Sequence, residues 1–356
     1  MTVEESQSRP ASADPEQSDK LLNYKVENKE RLITKTYHAL AAVAWCSKQF
    51  GWNDMDDYIQ TILIGESLIA NRGFNHRDLV RRYRTKPGHI VDGHTLLESG
   101  IDMTPEGSIG RLLKAFDMDY QHDGSWGYSD GSAMKVACIA PYFLEDFEKL
   151  VAETDRITRV THNFPNGRMA SLIIVLRFRQ ILLQSDETLD DYSHFRHSLD
   201  EAVDILGLQE EAAFFLQYLD DAADAVIDLT CPSEVLWRLS SIVGITHLSN
   251  SAPIAACLWS FKLDTRYGHY LKQMVSGDKF TMDGYEFSKE QFVNLEDSIQ
   301  YYGRQGLDAD NLRTHSWHLD CDTLLSIAYS LVAAKSGPAY RRISASPQNR
   351  DYSNSR

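Results

Sequence analysis

The sequence predicts an all-α protein, a compact bundle of many helices. Apolar residues recur at spacings of three and four along ten segments, which is the pattern of helices with a buried face. The period-two alternation typical of half-buried strands is scarce. Several segments are apolar on every side, which indicates central helices in a layered bundle. The predicted helices cover residues 35–50, 58–73, 76–86, 108–118, 134–154, 167–184, 210–229, 233–245, 251–263 and 323–337.

Local signals support these helices in order along the chain. The second helix stops at Gly73, because glycine tolerates the left-handed backbone that ends many helices. The third, 76–86, carries a dense run of basic residues, which at helical spacing indicates a solvated face. The last ends in a Lys-Ser-Gly-Pro stop signal. A short hairpin is predicted at residues 278–287, where two apolar-polar runs flank an Asp-Gly pair.

Length and composition predict one folded domain between two polar ends. The chain has 356 residues, and its 43% of hydrophobic residues suffices for a large core. Residues 1–28 are rich in Ser, Glu, Asp and Pro and poor in large apolar residues, so we expect a disordered extension there. Residues 29–340 form the predicted domain, and residues 341–356 form a polar tail.

Charge and cysteine usage exclude several classes of function. The chain carries 51 acidic and 36 basic residues, a formal net charge of −15, which repels nucleic acid and anionic membranes. No apolar run reaches the roughly 18 to 20 residues of a membrane helix, and the N-terminus lacks the regions of a signal peptide. The five cysteines are scattered without a Cys-x-x-Cys pair, as expected of small buried residues in a reducing compartment. We therefore expect a cytoplasmic protein without a nucleic-acid or membrane partner.

Two acidic clusters lie at opposite ends of the domain, each directly before a predicted helix. Asp56 and Asp57 form the first, and Asp320, Asp322 and Thr323 form the second. Carboxylate and hydroxyl oxygens are the ligands that Mg²⁺ and similar hard cations prefer. Asp and Thr are also favoured helix caps, so each cluster taken alone is more typical of a capped helix than of a metal site.

A small polar turn enters a helix within residues 125–143. Gly127 and Gly131 flank the turn, and backbone N–H groups in such a turn can hold an anion at the start of a helix. Trp126 and Tyr128 can stack on a flat ring. The alternative is a plain loop in which Gly131 only relieves a tight backbone.

A histidine precedes another turn at residues 159–172. His162 is followed by Pro165-Asn166-Gly167 and then by a helical pattern. A histidine beside such a turn can contact a ligand, or it can cap or pack against the helix.

In this order, the motifs resemble those of the ADP-ribosylglycohydrolase family, the group that contains dinitrogenase reductase-activating glycohydrolase and the ADP-ribosyl-arginine hydrolases. The family has a Trp-Thr-Asp-Asp-Thr motif, a Gly-Asn-Gly-Ser/Ala-Ala-Met-Arg loop, a Thr-His-x-x-Pro-x-Gly segment and a closing Gly-Gly-Asp-x-Asp-Thr motif. The similar positions here are 52–58, 129–135, 161–167 and 320–323. The resemblance covers roughly residues 35 to 340.

The resemblance implies a compact all-α bundle that holds two divalent cations, Mg²⁺ or in some members Mn²⁺. The implied reaction is hydrolysis of the N-glycosidic bond between ADP-ribose and a modified protein side chain, most often arginine. Asp56 or Asp57 would be the catalytic base. The implied metal ligands are Asp56, Asp57, Asp320, Asp322 and Thr323. The implied substrate-binding residues are Ser129, Asp130, Gly131, Ser132, Met134 and His162.

The sequence departs from the family pattern at several positions. The Gly-Asp-Ala-Leu-Gly motif that opens the family domain is missing. Met55 and Tyr58 replace the two threonines around the Asp pair, and a thioether is a poor ligand for a hard cation. Residues 318–319 are His-Leu in place of Gly-Gly. Asp130 adds a negative charge near the expected phosphates, which Lys135 can offset.

Three functions stay open at this point. Retention of four carboxylates favours an active hydrolase, because clustered charge is costly to keep. Met55, Tyr58 and the missing opening motif favour a catalytically weakened protein that binds ADP-ribose or a protein partner. The polar extension 1–28 is compatible with an immunity protein against an ADP-ribosyltransferase toxin, because some bacterial members of the family have that role.

Overall fold

The computed structural model describes the residues that carry most of the predicted helices. These are residues 29–44, 56–85, 90–91, 94–95, 108–117, 130–183, 191–243, 251–263, 279–282, 285–288 and 321–336. Most of them are helical, which confirms the all-α fold class. The division into an extension, one domain and a tail stays a prediction, since residues 1–28 and 337–356 lie outside this range.

The helices follow one another with short connections where those are described. They are α1 (29–44), α2 (Asp56–Asn71), α3 (His76–Thr85), α4 (Ser108–Asp117), a 3₁₀ turn (Asp130–Ser132), α5 (Ile139–Tyr142), α6 (Phe147–Arg159), α7 (Pro165–Leu183), α8 (Tyr192–Leu206), α9 (Gln209–Asp224), α10 (Pro232–Val243), α11 (Ser251–Ser260) and α12 (Cys321–Ser336).

Two short antiparallel hairpins accompany the helices. The strands β3 (Lys279–Met282) and β4 (Tyr285–Ser288) pair in register, which confirms the hairpin predicted at 278–287. The strands β1 (Ile90–Val91) and β2 (His94–Thr95) form a smaller hairpin that the sequence pattern did not indicate.

One predicted helix is divided in the structure. Residues 134–154 were expected to form a single helix, but α5 ends at Tyr142 and α6 begins at Phe147. The carboxylate of Asp146 accepts a hydrogen bond from the backbone N–H of Lys149 at 3.0 Å, so it caps a new helix in the middle of the apolar pattern. The prediction of one helix was wrong because this cap outweighs the continuous periodicity.

The helix α8 was not predicted from the sequence, although both of its ends carry recognisable signals. Asp191 accepts a hydrogen bond from the backbone N–H of His194 at 3.2 Å, which caps the first turn. Gly207 ends the helix with φ of +63°, a left-handed conformation that glycine adopts without strain.

Helix α7 lies at the centre of the described core. It is buried along most of its length, as expected of a helix that is apolar on every side. It contacts α5, α6, α8, α9, α11, α12 and the 3₁₀ turn. Because α7 begins at Pro165, its first turn carries the end of the segment 161–167 that resembles a family motif.

Arg177 is fully buried on α7 and joins that helix to α11. Its Nε donates to the Ser260 hydroxyl at 2.8 Å, and one terminal nitrogen donates to the Gln180 side chain at 2.7 Å. The guanidinium lies 3.6 Å from the centre of the Phe261 ring, a close cation–π contact. These contacts satisfy a charge that would otherwise be costly in an apolar core.

Two of the cysteines that the structure describes match the prediction of small buried residues. Cys138 and Cys257 are buried free thiols, and burial raises the pKa of each to about 12. Neither thiol ionises near neutral pH, so neither is a nucleophile or a ready metal ligand. Among the described residues, no helix is both long enough and apolar enough to cross a membrane.

We predict that Arg177→Ala lowers the free energy of unfolding by about 3–5 kcal/mol, because it leaves a cavity and removes the donors to the Ser260 hydroxyl and the Gln180 side-chain oxygen. Arg81→Ala is the control. Arg81 pairs with Asp78 while 68% exposed, so its loss costs under about 1 kcal/mol. Urea unfolding of both variants checks this. Equal losses would contradict the structural role of Arg177.

Candidate functional site

The first acidic cluster lies at the start of α2. Asp57 is 2% exposed in the first turn, and its backbone carbonyl accepts a hydrogen bond from the Thr61 hydroxyl at 2.7 Å. The positive end of the helix dipole stabilises a carboxylate at this place. The helix begins at Asp56, but the side chain of Asp56 is outside the part that the structure describes.

The second acidic cluster leads into α12. Thr323 is buried in the first turn of that helix, whereas Asp320 and the side chain of Asp322 lie outside the description. At the other end of α12, Lys335 Nζ donates to the carbonyls of Ser260 and Leu263, at 3.0 and 2.8 Å. These bonds complement the contacts of α12 with α11 and α7, so the position of Thr323 is set by the central helices.

The donor atoms of the two clusters fit a hard divalent cation. Asp57 and Thr323 each offer a buried oxygen, and a carboxylate buried to this degree is stable when a positive charge offsets its lost hydration. Within the described ranges, no group of three or more His, Cys, Asp or Glu side chains could hold a metal ion. The meeting of the two clusters therefore stays a prediction.

Two of the predicted motifs come into contact at the start of α7. We call them the Gly131 turn (130–135) and the His162 turn (161–167). A Cβ atom at Gly167 would lie 3.3 Å from the Cβ of His162 and 3.5 Å from the Cβ of Ser132, so glycine permits the two turns to approach. The Ser171 hydroxyl donates to the Ser132 carbonyl at 2.9 Å, which ties the Gly131 turn to α7.

Ser132 carries a polar atom suited to a ligand. Ser132 is fully buried, and its hydroxyl forms no hydrogen bond with the described part of the chain. A buried hydroxyl without a partner costs roughly 1–3 kcal/mol, which a bound acceptor would recover. In the same turn Met134 is buried and Gly131 is half-buried, while Ser129 and the side chain of Asp130 lie outside the description.

Lys135 connects the two turns through a hydrogen-bonded chain. Its side chain is fully buried, and Nζ donates to the hydroxyl of Thr161. The same hydroxyl lies 2.8 Å from Nδ1 of His162. The residue His162 is 2% exposed. The family motifs indicated for Lys135 only that it can offset charge, and they assigned no role to Thr161. The sequence feature that could have indicated Thr161 is its position directly before His162.

His162 is held neutral by its surroundings. Burial lowers its pKa well below the usual value, and the positive charges of Lys135 and Arg111 lower it further. Arg111 comes from α4, and the sequence did not indicate it as a site residue. Its buried Nε has no hydrogen-bond partner in the described ranges. Two cations therefore face His162 and favour an anionic ligand nearby.

The helix of the first cluster packs against Cys138 and α5, which follow the Gly131 turn in the chain. A Cβ at Gly65 on α2 would lie 3.6 Å from the Cβ of Cys138, and the Tyr142 hydroxyl donates to the Leu68 carbonyl at 2.9 Å. Asp57 precedes Gly65 by eight residues, or about 12 Å along a helix. Three of the four motifs thus belong to one packed unit.

A family model for ADP-ribosylglycohydrolase matches residues 25–279. That range holds the first acidic cluster and both turns, in the order seen in the structure. The chain belongs to the ADP-ribosylglycohydrolase family. No curated protein matches it.

Membership of the ADP-ribosylglycohydrolase family supports a glycohydrolase that acts on ADP-ribose linkages. Members are generally dependent on divalent metal and act on ADP-ribosylated proteins. The match ends at residue 279, before Asp320, Asp322 and Thr323, so the roles of those three rest on the motif pattern alone.

We predict a pH dependence of stability that comes from His162. Because its pKa is lowered in the fold, the unfolded chain binds a proton that the folded chain does not. The contribution of neutral His162 to the free energy of unfolding is therefore fully present above about pH 6.5. It is lost as the pH drops towards the pKa of His162 in the folded protein. Over that interval His162→Gln should reduce the slope of unfolding free energy against pH by up to about 1.4 kcal/mol per unit. Chemical denaturation from pH 8 to pH 5 measures the slope.

His197→Gln is the matched control, since His197 is exposed on α8. We expect that variant to keep the wild-type slope. Equal slopes for His162→Gln and the wild type would contradict a neutral, buried His162.

Proposed function

We propose that this chain is a metal-dependent hydrolase that removes ADP-ribose from modified protein side chains, with arginine as the target. The observation that carries the proposal is the contact of the Gly131 turn with the His162 turn at Gly167. It puts the unsatisfied hydroxyl of Ser132 beside His162, between two motifs that the family resemblance assigns to the ligand.

The Gly131 turn and its neighbours supply the ADP-ribose site in this proposal. Backbone N–H groups of residues 129–134 would bind the phosphates, together with the Ser132 hydroxyl. The positive charges of Lys135 and Arg111, which lower the pKa of His162, would help to offset the charge of the diphosphate. His162 would contact the bound ligand from the facing turn.

The carboxylates supply the chemistry of hydrolysis. Asp56, Asp57, Asp320, Asp322 and Thr323 would hold two divalent cations, Mg²⁺ or Mn²⁺. When bound, such cations would coordinate the ribose hydroxyls and make a nearby water more acidic. Asp56 or Asp57 would accept a proton from the attacking water. The water oxygen bonds to the ribose carbon, the carbon–nitrogen bond breaks, and the proton passes to the released side-chain nitrogen.

We predict that the protein releases ADP-ribose from an arginine-ADP-ribosylated protein when Mg²⁺ is present, and that EDTA stops the release. Asp57→Asn should lower the rate by about 100-fold or more, because it removes a ligand and a potential base. Release of labelled ADP-ribose is the measurement. Asp224→Asn, at an exposed aspartate on α9, is the control and should keep the wild-type rate.

Two outcomes of this assay would count against the proposal. The absence of release both with Mg²⁺ and with Mn²⁺ would reject the hydrolase. Full activity of Asp57→Asn would reject the metal and base roles of the first cluster.

We also predict that Gly167→Ala weakens binding of ADP-ribose by about tenfold, or about 1.4 kcal/mol, because the added methyl group would lie only 3.3 Å from the Cβ of His162 and shift that residue. Isothermal titration calorimetry with ADP-ribose measures this without catalysis. Gly207→Ala is the control. Its φ of +63° makes alanine cost about 1 kcal/mol of stability, far from both turns in the chain. Wild-type affinity in folded Gly167→Ala would contradict the proposed ligand position.

A second candidate is a catalytically weakened protein that binds ADP-ribose or a protein partner. Met55 favours it, because this residue replaces a hydroxyl ligand of the family pattern. Binding of ADP-ribose without any release would support this candidate over the hydrolase. A role as an immunity protein against an ADP-ribosyltransferase toxin would depend on residues 1–28, which lie outside the described residues.

A further inference from the structure

We infer that Lys135 and Thr161 fix His162 in one neutral tautomer, with the proton on Nε2. His162 then carries a hydrogen-bond donor at Nε2 and cannot accept a proton there. The inference rests on the proposed function only for the identity of the ligand. Lys135 and Thr161 are positioning residues in this account, because they act through the imidazole.

The direction of the hydrogen bonds follows from the groups that form them. An ammonium has only donors, so the Thr161 oxygen must accept from Lys135. A hydroxyl oxygen that accepts from a cation becomes a stronger donor and a poorer acceptor for a second N–H group. The Thr161 proton is therefore best placed on Nδ1 of His162, 2.8 Å away. In a neutral imidazole whose Nδ1 accepts, Nε2 carries the hydrogen.

The packing around the ring keeps this arrangement in place. Lys135 and Thr161 are fully buried, so water does not compete for their hydrogen bonds. The backbone N–H of His162 donates to the Thr158 carbonyl at 2.8 Å, and Gly167 lies against its Cβ. Lys135, from the Gly131 turn, and Arg111, from α4, act on the ring with positive charge. Both oppose a second proton on the imidazole.

The tautomer decides what His162 can do for a ligand. An Nε2–H group binds an oxygen acceptor, such as a phosphate or ribose oxygen. With Nδ1 occupied by Thr161 and Nε2 protonated, neither nitrogen is free to act as a general base. The base of the proposed reaction must then be a carboxylate, in agreement with the roles given to Asp56 and Asp57.

The test is nuclear magnetic resonance of the full-length, ¹⁵N-labelled protein without substrate. Two-bond ¹H–¹⁵N correlation spectra distinguish the two neutral tautomers from the protonated ring, and loss of signals in His162→Gln identifies the residue. We expect the Nε2–H pattern from pH 8 to pH 6. Thr161→Ser retains the hydroxyl and should keep that pattern. Thr161→Val removes it at nearly constant shape and should give a mixture of tautomers.

An Nδ1–H pattern or a protonated ring in the wild type would overturn the inference, as would an unchanged spectrum in Thr161→Val. If Thr161→Val does not fold, the wild type and Thr161→Ser still decide the matter. In the release assay, we expect Thr161→Val to lower kcat/KM by about tenfold and Thr161→Ser to restore it. A shifted spectrum in Thr161→Val without release by any variant would keep the tautomer inference and reject the hydrolase.

Discussion

The candidate site depends on the close approach of two turns to the first turn of α7. Gly167 favours that approach, because a Cβ atom there would lie in tight contact with His162 at 3.3 Å and in van der Waals contact with Ser132 at 3.5 Å. The hydrogen bond from Ser171 to the Ser132 carbonyl then joins the same helix to the Gly131 turn one helical turn later. Two segments that are 30 residues apart in the chain thus share one rigid support.

The support is rigid because α7 is enclosed by other helices. Arg177 lies ten residues after Gly167, about 15 Å along the helix, and anchors α7 to α11 through hydrogen bonds and the Phe261 ring. Lys335 anchors α12 to the end of α11. The position of Thr323 and the position of the His162 turn are therefore set by the same central packing, although the two belong to distant parts of the chain.

Hydrophobic periodicity was sufficient to predict the class of the fold and most helices, because burial of an apolar face dominates helix stability in proteins. It failed where a single polar side chain decided the local structure, as Asp146 does between α5 and α6. For the site, the motifs indicated His162 and the Gly131 turn. They could not indicate Arg111, which acts from another helix, or the link from Lys135 to Thr161 across 26 residues. Such pairings depend on tertiary packing, which a pattern along the chain does not encode.

The cations around His162 lie within a chain whose formal net charge is −15. At physiological ionic strength, exposed charges are screened beyond about 8 Å, so an approaching anion meets the overall repulsion only near the surface. Under the proposed function, the net charge repels a free ADP-ribose anion in that region, whereas an ADP-ribose group on a protein with a basic face is attracted there together with its carrier. The positive charges of Lys135 and Arg111 would act on the group only after it has entered. The overall charge of the chain would thus favour ADP-ribosylated carriers with a basic face over free ADP-ribose.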